Sequence, residues 1–303
     1  LMRYRLLFSS IGNYIRQLLC FCFILYWRRL VTITGETFIE KRVQTLLEDS
    51  LLKWRCWKKN SDLTCNALPM VEKELSIGFV NRSFLVRSGK FRAVVRVNSI
   101  DSDKLGIDRL REAQILKALE GKEFVPNILY WDADVLVTEY ISGVKLDNES
   151  LKSSEFRSPL SSVLYGIQTT PVTDMNRFSY LECCNSYARN LPYNPSEVVD
   201  WERLCIVAKE IDRSYGAPVL CHHDLIAENI IIRQDSIVFI DWEFAALGHP
   251  AFDYVKLFGE NIPRGMLSSR DISSGVIKQI EFLQSAIDDL WFAVQNIVKG
   301  SND

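Results

Sequence analysis

The hydrophobic period of the chain changes several times, and the changes mark its elements. Residues 37–53 place Val43, Leu46, Leu47 and Leu51 on one helical face. From residue 73 the pattern shortens. Segments 73–79, 82–88 and 91–98 are strand-like runs rich in Val, Phe and Leu, and Ser88-Gly89-Lys90 between two of them is a hairpin signal. Residues 107–120 return to a helical period, with Ile107, Leu110, Ile115, Leu116 and Leu119 near one stripe and Gly121 as a stop. Segments 127–131 and 134–140 again read as strands. After Gly143 the chain reads as helix and loop, except over 219–241, where Val219-Leu220, 230–232 and 237–240 are short apolar runs broken by polar residues. A last helix is predicted over 275–298, with Ile277, Ile280, Leu283, Ile287, Leu290 and Val294 at helical steps. The pattern therefore predicts an α+β protein. A strand-rich unit with a helix inside it spans 37–143, and a mainly helical unit spans 144–303.

Ahead of these units, residues 1–36 carry a hydrophobic segment. Leu18 to Trp27 is apolar throughout and flanked by Arg16, Arg28 and Arg29. It is shorter than the roughly 20 residues a spanning helix needs, and no small-residue cleavage site follows it. No stable membrane span is expected. The formal net charge of −2 argues against an extended basic face, so nucleic acid is not an expected partner. The eight cysteines form no CxxC pair, which predicts reduced thiols and a cytoplasmic protein. Nothing in the sequence specifies an oligomeric state.

The chemistry concentrates between Leu220 and Phe252. This stretch holds His222-x-Asp224 and, five residues beyond Asp224, Asn229; a short apolar run then leads to Asp241. All three histidines of the chain, His222, His223 and His249, lie within it. Phosphoryl transfer from ATP needs a carboxylate to orient the attacking hydroxyl and accept its proton. It also needs oxygen ligands to hold magnesium against the phosphates. Asp224, Asn229 and Asp241 supply those groups in the order of the kinase template. A hydrolase built on His222, His223 and Asp224 would need further metal ligands.

These residues resemble a phosphotransferase family that includes choline and ethanolamine kinases, bacterial thiamine kinase and aminoglycoside phosphotransferases. The resemblance rests on the His222-to-Asn229 loop, on Asp241-Trp242-Glu243, and on the segment Gly248-His249-Pro250-Ala251-Phe252-Asp253. The Trp-Glu after Asp241 is closest to the bacterial choline and thiamine kinase branch. The resemblance implies a protein-kinase-like two-lobed fold, with an antiparallel β N-lobe carrying one helix and a mainly helical C-lobe. It also implies ATP and Mg2+ as cofactors, Asp224 as the catalytic base, Asn229 and Asp241 as metal ligands, and His222 and Asp253 as supports of the loop. His223 takes the variable place in the motif and receives no role.

The first unit agrees with this reading. Gly78 and Asn81 lie in a turn between strand-like runs that resembles the phosphate-covering Gly-x-x-Asn-Arg loop of this branch. Arg96 takes an inward position on its strand if the alternation holds; the resemblance implies that it meets the ATP phosphates and that Glu112, sixteen residues on, pairs with it, and a buried cation needs such a partner. Glu139 and Tyr140 resemble the hinge whose backbone meets adenine. The acceptor is expected to be a small-molecule alcohol. Quaternary ammonium groups are held by aromatic faces and carboxylates, so Trp242, Glu243 and Trp291 are candidates for an acceptor pocket. A choline- or thiamine-like alcohol, an aminoglycoside or sugar, and a non-catalytic binding role all remain open at this level.

Overall fold

A computed structural model of the chain describes residues 38–57, 68–77, 81–233, 236–262 and 273–300. The hydrophobic segment 1–36 and Gly78 lie outside the described residues. Helix α1 (Phe38–Leu52) opens the structure. It is followed by β1 (Met70–Ile77), β2 (Arg82–Ser88), β3 (Phe91–Val97), α2 (Arg109–Ala118), β4 (Ile128–Trp131) and β5 (Val135–Glu139). The strands form one antiparallel sheet in the order β1-β2-β3-β5-β4. Gly89, at φ 63°, occupies the left-handed region in the β2–β3 turn, a conformation that favours glycine.

Alternation along β3 decides what each sheet face does. Ala93, Val95 and Val97 point to one side and are buried with Val135 and Val137 of β5 against Val43, Leu47 and Leu51 of α1. Trp54 and Trp57 extend this cover just past the helix. Arg42 fastens α1 to the sheet, donating to the Asn98 carbonyl at 3.0 Å and to Asp134 at 2.5 Å. Arg96, of the opposite parity, is directed to the other face, where α2 supplies its partner.

Helix α2 starts at Asp108, whose side chain accepts the Arg111 N–H. Its buried face holds Glu112, Ala113, Ile115 and Leu116. Leu110, expected on the apolar stripe, is 63% exposed. It sits two positions from Glu112, about 200° around the helix, and the face turned to the sheet is the one that carries the carboxylate.

The rest of the chain is β6 (Val144–Lys145), α3 (Asn148–Lys152), α4 (Ser154–Gln168), α5 (Tyr180–Arg189), α6 (Trp201–Ser214), β7 (Val219–Cys221), β8 (Ile230–Arg233), β9 (Ser236–Phe239), β10 (Ala246–Gly248), α7 (Phe252–Phe258) and α8 (Ser274–Gly300). Two apolar cores support it. One joins α5, α6 and α8 through Tyr180, Leu204, Ile211, Leu283 and Leu290. The other packs Leu160, Leu164 and Ile167 of α4 against Leu220, Ile230, Phe239 and Trp242. Two small antiparallel sheets, β6-β8-β9 and β10-β7, lie across these cores. The His222-to-Asn229 segment and Asp241 occupy the connections between their strands. Among the described residues no helix is long and apolar enough to cross a membrane, and Cys56, Cys183, Cys184, Cys205 and Cys221 are free thiols.

Leu47 is 7% exposed at the centre of the α1–sheet contact. Leu47→Ala is expected to lower unfolding stability by about 2–4 kcal/mol, read by urea denaturation. A loss below about 1 kcal/mol would show that α1 is not an integral part of the sheet's cover.

Candidate active site

The loop from His222 to Asn229 is held from below by one carboxylate. Asp253, at the start of α7 and fully buried, accepts the backbone N–H of His222 at 2.7 Å and that of His223 at 3.0 Å. Burial pushes Asp253 up to about 6, and the two N–H donors oppose that rise. The His222 ring makes two further ties. Its Nε2 lies 3.0 Å from the Ile240 carbonyl, which can only accept, so the proton sits on Nε2. Nδ1 is then free to accept the Asp224 N–H at 3.4 Å. Burial lowers His222 to about 4, which keeps the ring neutral and this pattern intact.

His223 is also engaged. Its Nε2 lies 3.1 Å from the Tyr180 hydroxyl. That hydroxyl accepts the His249 N–H at 3.0 Å, so its own proton is directed to His223. Tyr180 therefore ties α5, the catalytic loop and the segment after β10 together. Gly248 permits the arrangement. A Cβ there would stand 2.5 Å from His223 Nε2 and 2.7 Å from the Tyr180 oxygen. His223 (φ 65°) and Asp241 (φ 66°) both adopt the left-handed region that non-glycine residues rarely enter. Such strain, about 1–3 kcal/mol per residue, persists where surrounding contacts over-determine the backbone.

Asn229 brings the chemical groups together. Its Nδ2 donates to the Asp224 carboxylate at 2.9 Å and to the Asp224 carbonyl at 3.0 Å, and its own carbonyl accepts the Ile240 N–H at 3.0 Å. Asp241 follows directly. Burial raises Asp224 to about 6; the nearby Asp288 and Glu243 add to the rise, and Lys256 opposes it. Asp241 is raised as well, by burial and then by Glu243, against the pull of Arg96. With Asn229 Nδ2 spent on Asp224, its Oδ1 is the end left for a cation. Asp241 adds a carboxylate with 41% of its side-chain surface open. A hard divalent cation such as magnesium fits these oxygen donors.

Arg96, Glu112, Arg109, Asn81 and Glu243 form a buried charge network. Arg96 Nη2 lies 2.6 Å from Glu112 Oε2 and its Nε donates to Asn98 at 3.1 Å, while Nη1 stands 3.6 Å from Asp241. Burial opposes ionisation of Glu112, but Arg96 and Arg109 outweigh it and hold the carboxyl below its usual range. Arg109 extends the network. It donates to Glu112 at 3.0 Å, to Glu243 at 2.8 Å, to Asn81 at 2.6 Å and to Ser102 at 3.0 Å. Asn81 in turn donates to Glu243 at 2.7 Å. Glu243 is thus buried and spent on the join between the sheet unit and the helical unit. Trp242 is 2% exposed, packed on the His222 ring, with its N–H on the Phe239 carbonyl. Trp291 lies elsewhere, on α8, with its ring against Phe244 and Phe292. Glu139 pairs with Asn127 through both backbone and side chain, and the Tyr140 N–H donates to the Arg92 carbonyl.

Sequence reasoning gave no role to Arg109, Asn98, Tyr180 or Lys256. For Arg109 the signal was available, since it stands three residues before Glu112 on one helix, a spacing at which side chains meet. Tyr180 is forty-three positions from His223, and no local pattern announces it.

The fold is of the protein-kinase-like class. A model of the choline/ethanolamine kinase family matches residues 72–264, and the chain belongs to that family. A LicA homolog of Metamycoplasma hominis is 28% identical over 185 residues, covering 58% of this chain and 67% of the relative. LicA of Haemophilus influenzae is 24% identical over 194 residues, covering 60% and 56%. Ethanolamine kinase 2 of Mus musculus is 26% identical over 172 residues, covering 52% and 44%. The chain spans about half to two thirds of the length of these relatives. Among solved structures, choline kinase LicA from Streptococcus pneumoniae matches with a TM-score of 0.64 at 22% identity, over 77% of this chain and 88% of that one. An aminoglycoside phosphotransferase in ternary complex with AMP-PNP and hygromycin B matches at 0.54 and 17% identity, over 80% and 90%. At these identities the likeness is one of fold.

Arg109→Ala leaves Glu243 and Glu112 short of a buried partner. The expected outcome is a fall of about 3 kcal/mol or more in stability, measured by chemical denaturation. Gly248→Ala is expected to displace the Tyr180–His223 contact and lower the melting temperature; an unchanged melting temperature would show that the segment shifts freely.

Proposed function

We propose that this chain transfers the γ-phosphoryl group of ATP to the hydroxyl of a small cationic alcohol of the ethanolamine or choline type, with magnesium. The observation that carries the reading is the Asp224–Asn229–Asp241 cluster, in which one amide both fixes a carboxylate and leaves its oxygen for a cation. In this reading Asp224 accepts the proton of the attacking hydroxyl, and Asn229 and Asp241 hold the metal. Bound there, magnesium would neutralise phosphate charge and orient the nucleotide. Arg96, positioned by Glu112, meets the phosphates. The backbone at Glu139 and Tyr140 meets adenine.

His222 and Asp253 act through the loop, by holding Asp224 in place. Phe244 and Trp291 form an aromatic wall suited to an ammonium group, with Asp288 one helical turn before Trp291. The relatives named choline and ethanolamine kinase support this acceptor class over thiamine and over an aminoglycoside or sugar. Trp242 and Glu243, in contrast, serve the framework that joins the two units.

The test is ADP release with ATP and magnesium across choline, ethanolamine, thiamine and an aminoglycoside. Selective release with choline or ethanolamine is expected, and equal low release across the panel would reject the cationic-alcohol reading. Asp224→Ala is expected to reduce turnover by two orders of magnitude or more, in keeping with the roughly 10²–10⁴-fold contribution of a general base, with the melting temperature little changed. Asp224 must be ionised to accept a proton, and its carboxyl lies at about 6. At saturating nucleotide, turnover is therefore expected to fall as pH drops through about 6. An acid limb centred below pH 5 would remove Asp224 as the titrating base.

A further inference from the structure

One cation near Asp224 has no part in the phosphate-side network. Lys256 lies on α7, one helical turn after Asp253. Its ammonium donates to Asp288 of α8 at 2.7 Å. The lysine side chain is 18% exposed, whereas that of Asp288 is 51% exposed. Two chain connections fix where the pair sits. Asp253 holds the backbone of the catalytic loop, so Lys256 approaches that loop from α7. Asp288 precedes Trp291 by one turn, and the Trp291 ring meets Phe244, the residue after Glu243. The ion pair thus joins the two helices that carry, one turn away from it, the support of the catalytic loop and Trp291 of the aromatic wall. Lys256 and Asp288 both act electrostatically on Asp224, with opposite sign.

We propose that Lys256 is a resident counter-cation that sets acceptor specificity, an inference that rests on the cationic-alcohol reading above. A cationic alcohol whose hydroxyl reaches Asp224 would bring its ammonium towards Asp288, the carboxylate that Lys256 neutralises. Lys256 is mostly covered and anchored by its helix, so it cannot leave the region as a surface lysine would. It competes with the acceptor's charge for Asp288. The resident cation weakens the hold on any ammonium and admits only those whose aromatic and carboxylate contacts offset the competition. A neutral alcohol of the same shape meets no such competition.

The measurement is calorimetric binding to the full chain in the presence of nucleotide. The ligands are ethanolamine, choline and 3,3-dimethylbutan-1-ol, the uncharged isostere of choline. Lys256→Met is expected to tighten binding of the two cations by about tenfold, through loss of a nearby like charge, and to leave the neutral isostere unchanged. Lys256→Arg keeps the charge and is expected to keep wild-type selectivity. Asp288→Asn is expected to weaken cation binding and to cancel the gain when combined with Lys256→Met. Thermal melting checks that each variant is folded, and Lys256→Gln replaces the Met variant should that one fail. If Lys256→Met left cation binding unchanged or weaker, or moved the cation and its neutral isostere alike, Lys256 would be a packing residue and the proposal would fall. If the wild type bound neither cation, the cationic-alcohol reading itself would fail, and the proposal with it.

Discussion

Two arginines withdrawn from water govern how the structure holds together. Arg96 on β3 and Arg109 on α2 cannot shed their charge, and a guanidinium taken into the interior is tolerated only with carboxylate partners at hydrogen-bonding distance. The partners come from separate parts of the chain. Glu112 lies on α2 itself, Asn81 borders β2, and Glu243, two residues after Asp241, is 134 positions from Arg109. Because Glu243 belongs to the helical unit and Arg109 to the sheet unit, drawing the units apart would strand charge on both sides. The network therefore fixes the placement of the phosphate-side residues over the catalytic loop more firmly than apolar packing alone, which slides at small cost when areas are conserved.

The catalytic loop itself relies on a different principle. Its supports are neutral or singly charged hydrogen bonds arranged so that each atom has one role. Asp253 receives two backbone donors, His222 is locked in one tautomer by a carbonyl, and the Tyr180 hydroxyl accepts a backbone N–H while its own proton is turned to His223. These bonds hold His223 and Asp241 in backbone conformations that short polar loops do not adopt unaided. The result is rigid positioning of Asp224 without a neighbouring positive side chain in direct contact. Burial, with Asp288 and Glu243 adding and Lys256 opposing, raises its carboxyl and so strengthens its affinity for a proton, as the proposed role of general base calls for.

Much of this was legible from the residue pattern, and the exceptions share a cause. The His222-to-Asn229 loop and Asp241 stood out because apolar runs on both sides mark buried strands. Strand parity turns Arg96 inward and the family resemblance pairs it with Glu112, and the two meet at 2.6 Å. What sequence could not supply was the burial of charged residues by distant segments. Arg109 and Glu243 look like surface charges until the fold brings them together. Trp242, read as a pocket aromatic from its place beside Asp241, is instead packed on His222, because successive residues after a strand point to opposite sides. Leu110 failed the other way. An apolar residue was assigned to the buried face, but the need to pair Arg96 gave that face to Glu112. The strands β6 and β10, two and three residues long, carry too few positions for any period to be read.

The charge balance at the phosphate side also bears on how a nucleotide can be held. Arg96 and Arg109 face three carboxylates, Glu112, Glu243 and Asp241, so the cations are already neutralised by the protein. A bare triphosphate would meet carboxylate as well as guanidinium there, and Asp241, whose proton affinity is raised by burial first, is raised further by Glu243. Such an environment is poorly matched to a polyanion alone and well matched to a polyanion that brings a divalent cation, since the ion's charge inverts the local balance. The acidity that looks unfavourable in isolation is therefore an argument for the metal-bound form of the nucleotide. It comes from the arrangement of Asp241 and its neighbours independently of any motif.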